Sequence, residues 1–133
     1  MIKFDRKAFK KSHCATLKLW LEKNKIEGKD VDFTNANLSE ITFGPAKLPY
    51  ANFTGADLTN ADVSDAFMTG ANFTNAKLIA TNFNATTLPA ADFINANCTF
   101  ADFTKAWLIG ADFTGAKLGG ASFAGANLLH VIA

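Results

Sequence analysis

From Val31 to His130 the chain divides without a gap into twenty units of five residues, and no other feature limits its folding so severely. Each unit reads small residue, Asp/Asn or another polar residue, large apolar residue, then two turn residues. Ala51-Asn52-Phe53-Thr54-Gly55 and Ala111-Asp112-Phe113-Thr114-Gly115 are examples. A period of five fits neither a helix, at about 3.6 residues per turn, nor a strand, which alternates every second residue. A repeating unit of short strand and corner is the regular solution that remains.

The central positions alternate as Phe33, Leu38, Phe43, Leu48, Phe53, Leu58, and later Phe73, Leu78, Phe83, Leu88; Val63, Met68 and Cys98 depart from the pattern. If four units close one square coil, residues twenty apart stack. Phe33, Phe53, Phe73, Phe93 and Phe113 then form one column, and Phe43, Val63, Phe83, Phe103 and Phe123 the column opposite. The other two columns are Leu38, Leu58, Leu78, Cys98, Leu118 and Leu48, Met68, Leu88, Leu108, Leu128. Facing Phe and facing Leu columns fill the interior evenly along its length. The small position, mostly Ala, also points inward, with Val31, Ile41, Thr81 and Thr86 as exceptions. Gly or Asn closes many units (Gly55, Asn60, Gly70, Asn75, Gly110, Gly115), which suits a type II turn with positive φ at that place. Pro45 occupies the same place and cannot adopt positive φ, so its corner is expected to differ.

On these residues the chain resembles the pentapeptide-repeat family, whose consensus is Ala, Asp/Asn, Leu/Phe and two variable residues. The resemblance covers residues 31–130 and implies an all-β solenoid: a right-handed quadrilateral parallel β-helix of five coils, or twenty pentapeptides. It implies no activity, because members of such a family share architecture more than function.

A solenoid exposes its apolar cross-section at both ends, so caps are expected. In residues 1–30, Phe9, His13, Leu17 and Trp20 or Leu21 recur at helical spacing between Asp5 and about Asn24, and Gly28 follows. This reads as an N-terminal α-helical cap, with a break near Ser12 to Cys14, that packs Phe9, Leu17, Trp20 and Ile26 over the first coil. The alternation of Leu17, Leu19 and Leu21 supports a competing strand reading. Residues 131–133 form a short tail, leaving Phe113, Leu118, Phe123 and Leu128 under little cover. A homodimer through Leu128, Leu129, Val131 and Ile132 is the expectation there, and a fold-back of residues 129–133 is the alternative.

The formal net charge is +1, with no global field toward nucleic acid or an anionic membrane. Residues 1–30 carry nine Lys/Arg against four Asp/Glu, and residues 31–133 carry four against eight. A basic cap on an acidic body results. No apolar run reaches membrane-spanning length, and none resembles a secretion signal. Cys14 and Cys98 are too few for a disulfide framework, which points to a reducing, cytoplasmic compartment. His13 and His130 lie at opposite ends of the rod, without carboxylates or thiols at ligand spacing. Gly110, Gly115 and Gly120 mimic a phosphate loop only in part, since Ala121-Ser122 follows in place of Lys-Ser/Thr. No catalytic, cofactor or metal site is expected, and the many Asp and Asn residues read as partners for backbone at strand ends.

Function then falls to the outward positions. Around Leu48, Met68, Leu88, Leu108 and Leu128 the outward ladder is Lys47, Phe67, Thr87, Trp107, Asn127, where the consensus places Asp or Asn. With Tyr50 at the corner and Ile109 beside it, Phe67 and Trp107 make a candidate partner-binding strip. The leading expectation is a non-catalytic protein-interaction or structural module with an unknown protein partner. The alternative is a DNA-mimic inhibitor or protector of a type II topoisomerase, as in quinolone-protecting relatives. That reading sits poorly with a body of net charge about −4, because a duplex of equal length carries roughly 14 negative charges. Ice binding by the ladder Thr34, Thr54, Thr74, Thr114 is a third class, weakened by Ile94.

Overall fold

The computed structural model describes all 133 residues. A strand β1 (Ile2–Lys3) is followed by helices α1 (Arg6–Ser12) and α2 (Leu17–Lys23), a 3-10 turn (Gly28–Asp30) and β2 (Val31–Asp32). Beyond β2 the chain winds as a parallel β-helix in which each rung is held by one bridging residue. The bridges join residues twenty apart, from Asn37↔Asp57 to Asp112↔Ile132.

The regularity has a local cause and a long-range one. Between successive units, the N–H of the first residue donates to the carbonyl of the preceding central residue, as Ala56 to Phe53 (2.9 Å), and closes a turn; Ala46, which follows Pro45, donates to Gly44 O (2.7 Å) in its place. The residue before it has positive φ even when it is Tyr50 (58°), Ala80 (55°) or Phe100 (59°). Between coils, Phe53 N–H donates to Asn72 O (2.7 Å), and Asp57 N–H donates to Ala36 O (2.9 Å). Corner strain at non-glycine residues is thus held by hydrogen bonds on both sides. At Pro45 the positive φ moves back one residue to Gly44 (68°), and the expected departure from the turn pattern is realised there.

The Phe columns stack face to face, with centroids 4.6–5.1 Å apart. Across the interior, Phe73, Phe83, Phe93, Phe103, Phe113 and Phe123 meet edge-on at 84–90°. On the other side of Val63, Phe43 and Phe53 meet at 32°. The smaller residue separates two packing arrangements. Thr81 and Thr86, in place of Ala, are buried, and their hydroxyls donate to Leu58 O (2.7 Å) and Val63 O (3.0 Å). No buried side-chain polar atom lacks a partner.

The N-terminal segment is two short helices, with the break at His13 (φ 56°). His13 is exposed at the end of α1, outside the apolar stripe to which its spacing assigned it. Residues 17–21 are helical, and the alternation Leu17, Leu19, Leu21 leaves Leu19 exposed. Asp5 and Thr16 cap the helices, accepting from Lys7 N–H (2.9 Å) and Leu19 N–H (3.1 Å). The first amides of α2, on Leu17 and Lys18, donate to Thr42 O and Phe43 O (both 2.9 Å) on the open edge of the first coil. No periodicity signals β1, which pairs Ile2↔Val31 and Lys3↔Asp32. It buries Phe4 against Phe33 and Trp20, each 5.7 Å away, so Phe4 tops the Phe column. Leu17, Trp20 and Phe9 are buried in the same core. At the other end residues 131–133 continue the winding: Ile132 N–H donates to Ala111 O (2.9 Å) and Ile132 O accepts from Phe113 N–H (2.7 Å).

Candidate interaction face

In most units the second residue is Asp or Asn, and its Oδ1 accepts the N–H of the residue two places on, as Asn52 from Thr54 (3.0 Å) and Asp112 from Thr114 (2.9 Å). The Asp and Asn ladders therefore serve the turns. Thr34 and Thr114 donate strongly enough that Asp32 and Asp112 are held below the usual carboxylate range. The Thr54 and Thr114 hydroxyls donate to the same Oδ1 atoms at 2.6 Å, so two members of the Thr ladder are engaged with their own corners.

Around Leu48 four of the five second residues break this rule, Asn127 alone keeping it, whereas the Leu38 face breaks it only at Lys77 and Lys117. The bridges Lys47↔Phe67, Phe67↔Thr87, Thr87↔Trp107 and Trp107↔Asn127 align the ladder in one row. None of Lys47, Phe67 and Trp107 can accept a turn amide. Where Lys47 and Thr87 stand, proline follows at positions 49 and 89 and has no N–H to satisfy. Phe67 and Trp107 are followed by Thr69 and Ile109, whose N–H groups find no acceptor in the chain. Each of these two aromatic residues forgoes a turn hydrogen bond worth roughly 1 kcal/mol.

Phe67 is 49% and Trp107 57% exposed, two coils apart and hence roughly 10 Å from each other. Tyr50, 77% exposed, lays its ring over Gly70, where an added Cβ would meet Cδ1 at 2.5 Å. Ile109 is half-buried beside Trp107. The remaining large exposed aromatic of the body, Phe100, stands on another face, with Ala80 and Gly120 as its neighbours twenty residues away. The Leu48 face carries no carboxylate. All eight Asp/Glu of residues 31–133 lie on the other three, including Asp62, Asp65 and Asp102 on one flank and Asp32, Asp92 and Asp112 on the other.

At the C-terminal edge Leu128, Leu129 and Ile132 are exposed and Val131 is half-buried, and the N–H groups of Leu118, Phe123 and Leu128 have no partner in the chain. His13 and His130 are not brought together, and no group of three His, Cys, Asp or Glu side chains is placed to hold a metal. Cys98 lies in the interior, where burial pushes its thiol up to about 12. Cys14 is partly buried against the core. No helix is long and apolar enough to cross a membrane.

Sequence reasoning missed a basic groove at the head of this face, bounded by α2, the 3-10 turn and the segment from Pro45 to Pro49. Three of its four lysines, Lys18, Lys25 and Lys29, lie in the non-periodic segment, where spacing carries no positional information.

Comparison with known proteins agrees with this geometry. The profile of pentapeptide repeats (8 copies) matches residues 36–75, 71–108 and 106–132. Among solved structures, HetL of the cyanobacterium Nostoc sp. strain PCC 7120, a pentapeptide repeat protein involved in heterocyst differentiation regulation, is 30% identical with a TM-score of 0.63. The match covers 74% of this chain and 49% of HetL. Rfr23, a pentapeptide repeat protein of the cyanobacterium Cyanothece 51142, is 27% identical with a TM-score of 0.65, over 66% of this chain and 60% of that one. The plasmid-mediated fluoroquinolone resistance protein QnrB1 shares the fold at 20% identity and a TM-score of 0.50, over 97% of this chain and 69% of that one. The chain thus spans about half of HetL and three fifths of Rfr23. No curated protein sequence matches it.

Proposed function

This chain belongs to the pentapeptide repeat family, whose members fold as right-handed β-helices, and on that premise we propose that it is a non-catalytic protein-interaction module. In this reading five coils form a rigid rod closed at one end by the helical cap, and the Leu48 face presents Tyr50, Phe67, Trp107 and Ile109 to a protein partner. One observation carries it: Phe67 and Trp107 replace the turn-capping Asp/Asn, leave two amides without acceptors and remain half in water. Neither side chain helps its own turn, so a partner that covers them supplies the compensating gain. Free Cys14 and Cys98 accord with a cytoplasmic setting.

The test is capture of partners by the wild-type chain, by Phe67→Ser/Trp107→Ser and by Phe100→Ser as a control on another face. Loss of the captured protein in the double variant alone is expected. Identical capture by all three refutes the assignment of this face.

The reading as a DNA mimic has less support. Eight carboxylates in the body, none on the Leu48 face, fall short of the roughly 14 charges of an equal length of duplex. Inhibition of a type II topoisomerase supercoiling assay by this chain would restore it. We also propose that two copies of the 133-residue chain pair through the edge made by Leu128, Leu129, Val131 and Ile132. A monomer mass that stays constant to millimolar concentration in ultracentrifugation refutes the pairing, and a dimer abolished by Ile132→Asp supports it.

A further inference from the structure

We infer that the Leu48 face takes an extended acidic peptide segment, its carboxylates seated in a lysine groove beside α2 and its following apolar side chains lying on Phe67 and Trp107. The inference rests on the reading of this face as an interaction surface and specifies the partner's chemistry.

The groove holds about 720 Å³, room for several side chains, and is lined by Lys18, Lys25, Lys29 and Lys47. Two carboxylates also line it, and each is already engaged: Glu22 bonds Lys18 at 2.5 Å, and Glu27 lies 3.7 Å from Lys29. Lys25 and Lys47 have no carboxylate partner, and the Lys47 backbone N–H has no acceptor. The wall is closely fitted, since a Cβ on Gly28 would lie 2.3 Å from Lys47 O. The 3-10 turn is therefore pressed onto this edge of the first coil, and the groove is part of the packed structure.

Lys47 belongs both to the groove and to the ladder, bridging directly to Phe67. From Lys47 to Trp107 is three coils, roughly 14 Å, which an extended chain covers in four to five residues. The partner is thus defined as two or more Asp/Glu followed within about five residues by two large apolar side chains.

Charge and width favour a peptide over broader polyanions. The strip is one strand segment wide, and both flanking faces carry carboxylates: Asp62, Asp65 and Asp102 on one side, Asp32, Asp92 and Asp112 on the other. A duplex or a membrane surface lying on the strip would overhang these rows and be repelled, whereas a single extended strand stays between them.

The experiment selects binders to the full-length chain from a random dodecapeptide phage library, then measures the enriched peptides by fluorescence anisotropy. Expected are sequences with an acidic cluster ahead of paired apolar residues, and affinity that falls with added salt. Binding should weaken about tenfold in Lys25→Gln/Lys47→Gln and in Phe67→Ser/Trp107→Ser, and be unchanged in Phe100→Ser. Each variant is first checked for an unchanged melting temperature. Apolar peptides without acidic residues, lost only in the aromatic double variant, would overturn the groove while sustaining the face. Failure of any peptide to enrich, with partner capture through Phe67 and Trp107 intact, would overturn the inference alone. Binding of duplex DNA or phosphatidylserine vesicles that depends on Lys25 and Lys47 but not on Phe67 and Trp107 would also overturn it.

Discussion

Replacement of Phe73 by Ala tests the stacked core most directly. Phe73 is fully buried between Phe53 and Phe93, at 4.9 and 5.1 Å with rings 7° from parallel in both pairs, and it meets Phe83 edge-on at 5.6 Å. Losing the ring forfeits about 2 kcal/mol of transfer free energy. A residual cavity of roughly 80 Å³, at about 24 cal/mol per Å³, adds about 2 kcal/mol. The cavity persists because Phe53 N–H to Asn72 O (2.7 Å) and Phe73 N–H to Asp92 O (2.6 Å) hold the rungs apart. The expected loss is therefore about 3 to 5 kcal/mol. Thr74 is the matched control: its N–H to Asn72 Oδ1 survives truncation and its hydroxyl makes no hydrogen bond, so Thr74→Ala should cost under about 1 kcal/mol. Urea denaturation followed by circular dichroism and by Trp20 and Trp107 fluorescence measures both. Equal losses in the two variants would refute the arrangement of columns twenty residues apart.

At position 107 the Asn variant should be more stable than the Ala variant by about 0.5 to 1.5 kcal/mol, because Asn can accept the unpaired Ile109 N–H; equal melting temperatures would show that amide to be satisfied by water. Deleting residues 1–27 uncovers Val31, Phe33 and Ile41, so light scattering should report association, whereas an unchanged monomer of unchanged stability would show that the segment is no cap. Cys98, at about 12 against an ordinary 9.0, keeps its proton in the folded state. Its contribution to stability is present below pH 9 and lost as pH rises toward 12, and iodoacetamide at pH 8 should label it only in denaturant. Asp32 and Asp112 are held low by Thr34 and Thr114, so the stability they add is present above about pH 4 and lost as pH falls through their depressed values; urea midpoints that rise between pH 5 and pH 3 would contradict this.

The repeat was legible because it is a local code with an arithmetic consequence. Each unit states its own inward, outward and turn positions, and closure of four units places residue 33 over 53 and 47 over 67 with no further information. The columns, the turn-serving Asp and Asn, and the row from Lys47 to Asn127 were therefore readable from the chain alone. Position 45 marks the limit of that code: proline forbade the usual corner, but only the three-dimensional path showed that Gly44 takes over the positive φ. Residues 1–30 have no period, so their placement depends on which side chains complement the first coil. Tertiary contact decided that Phe4 extends the Phe column, that α2 donates to Thr42 and Phe43, and that His13 turns outward. It also decided that Lys18, Lys25 and Lys29 gather around Lys47, because residues distant in sequence and without a shared repeat meet only when the segment that carries them is packed against the rod.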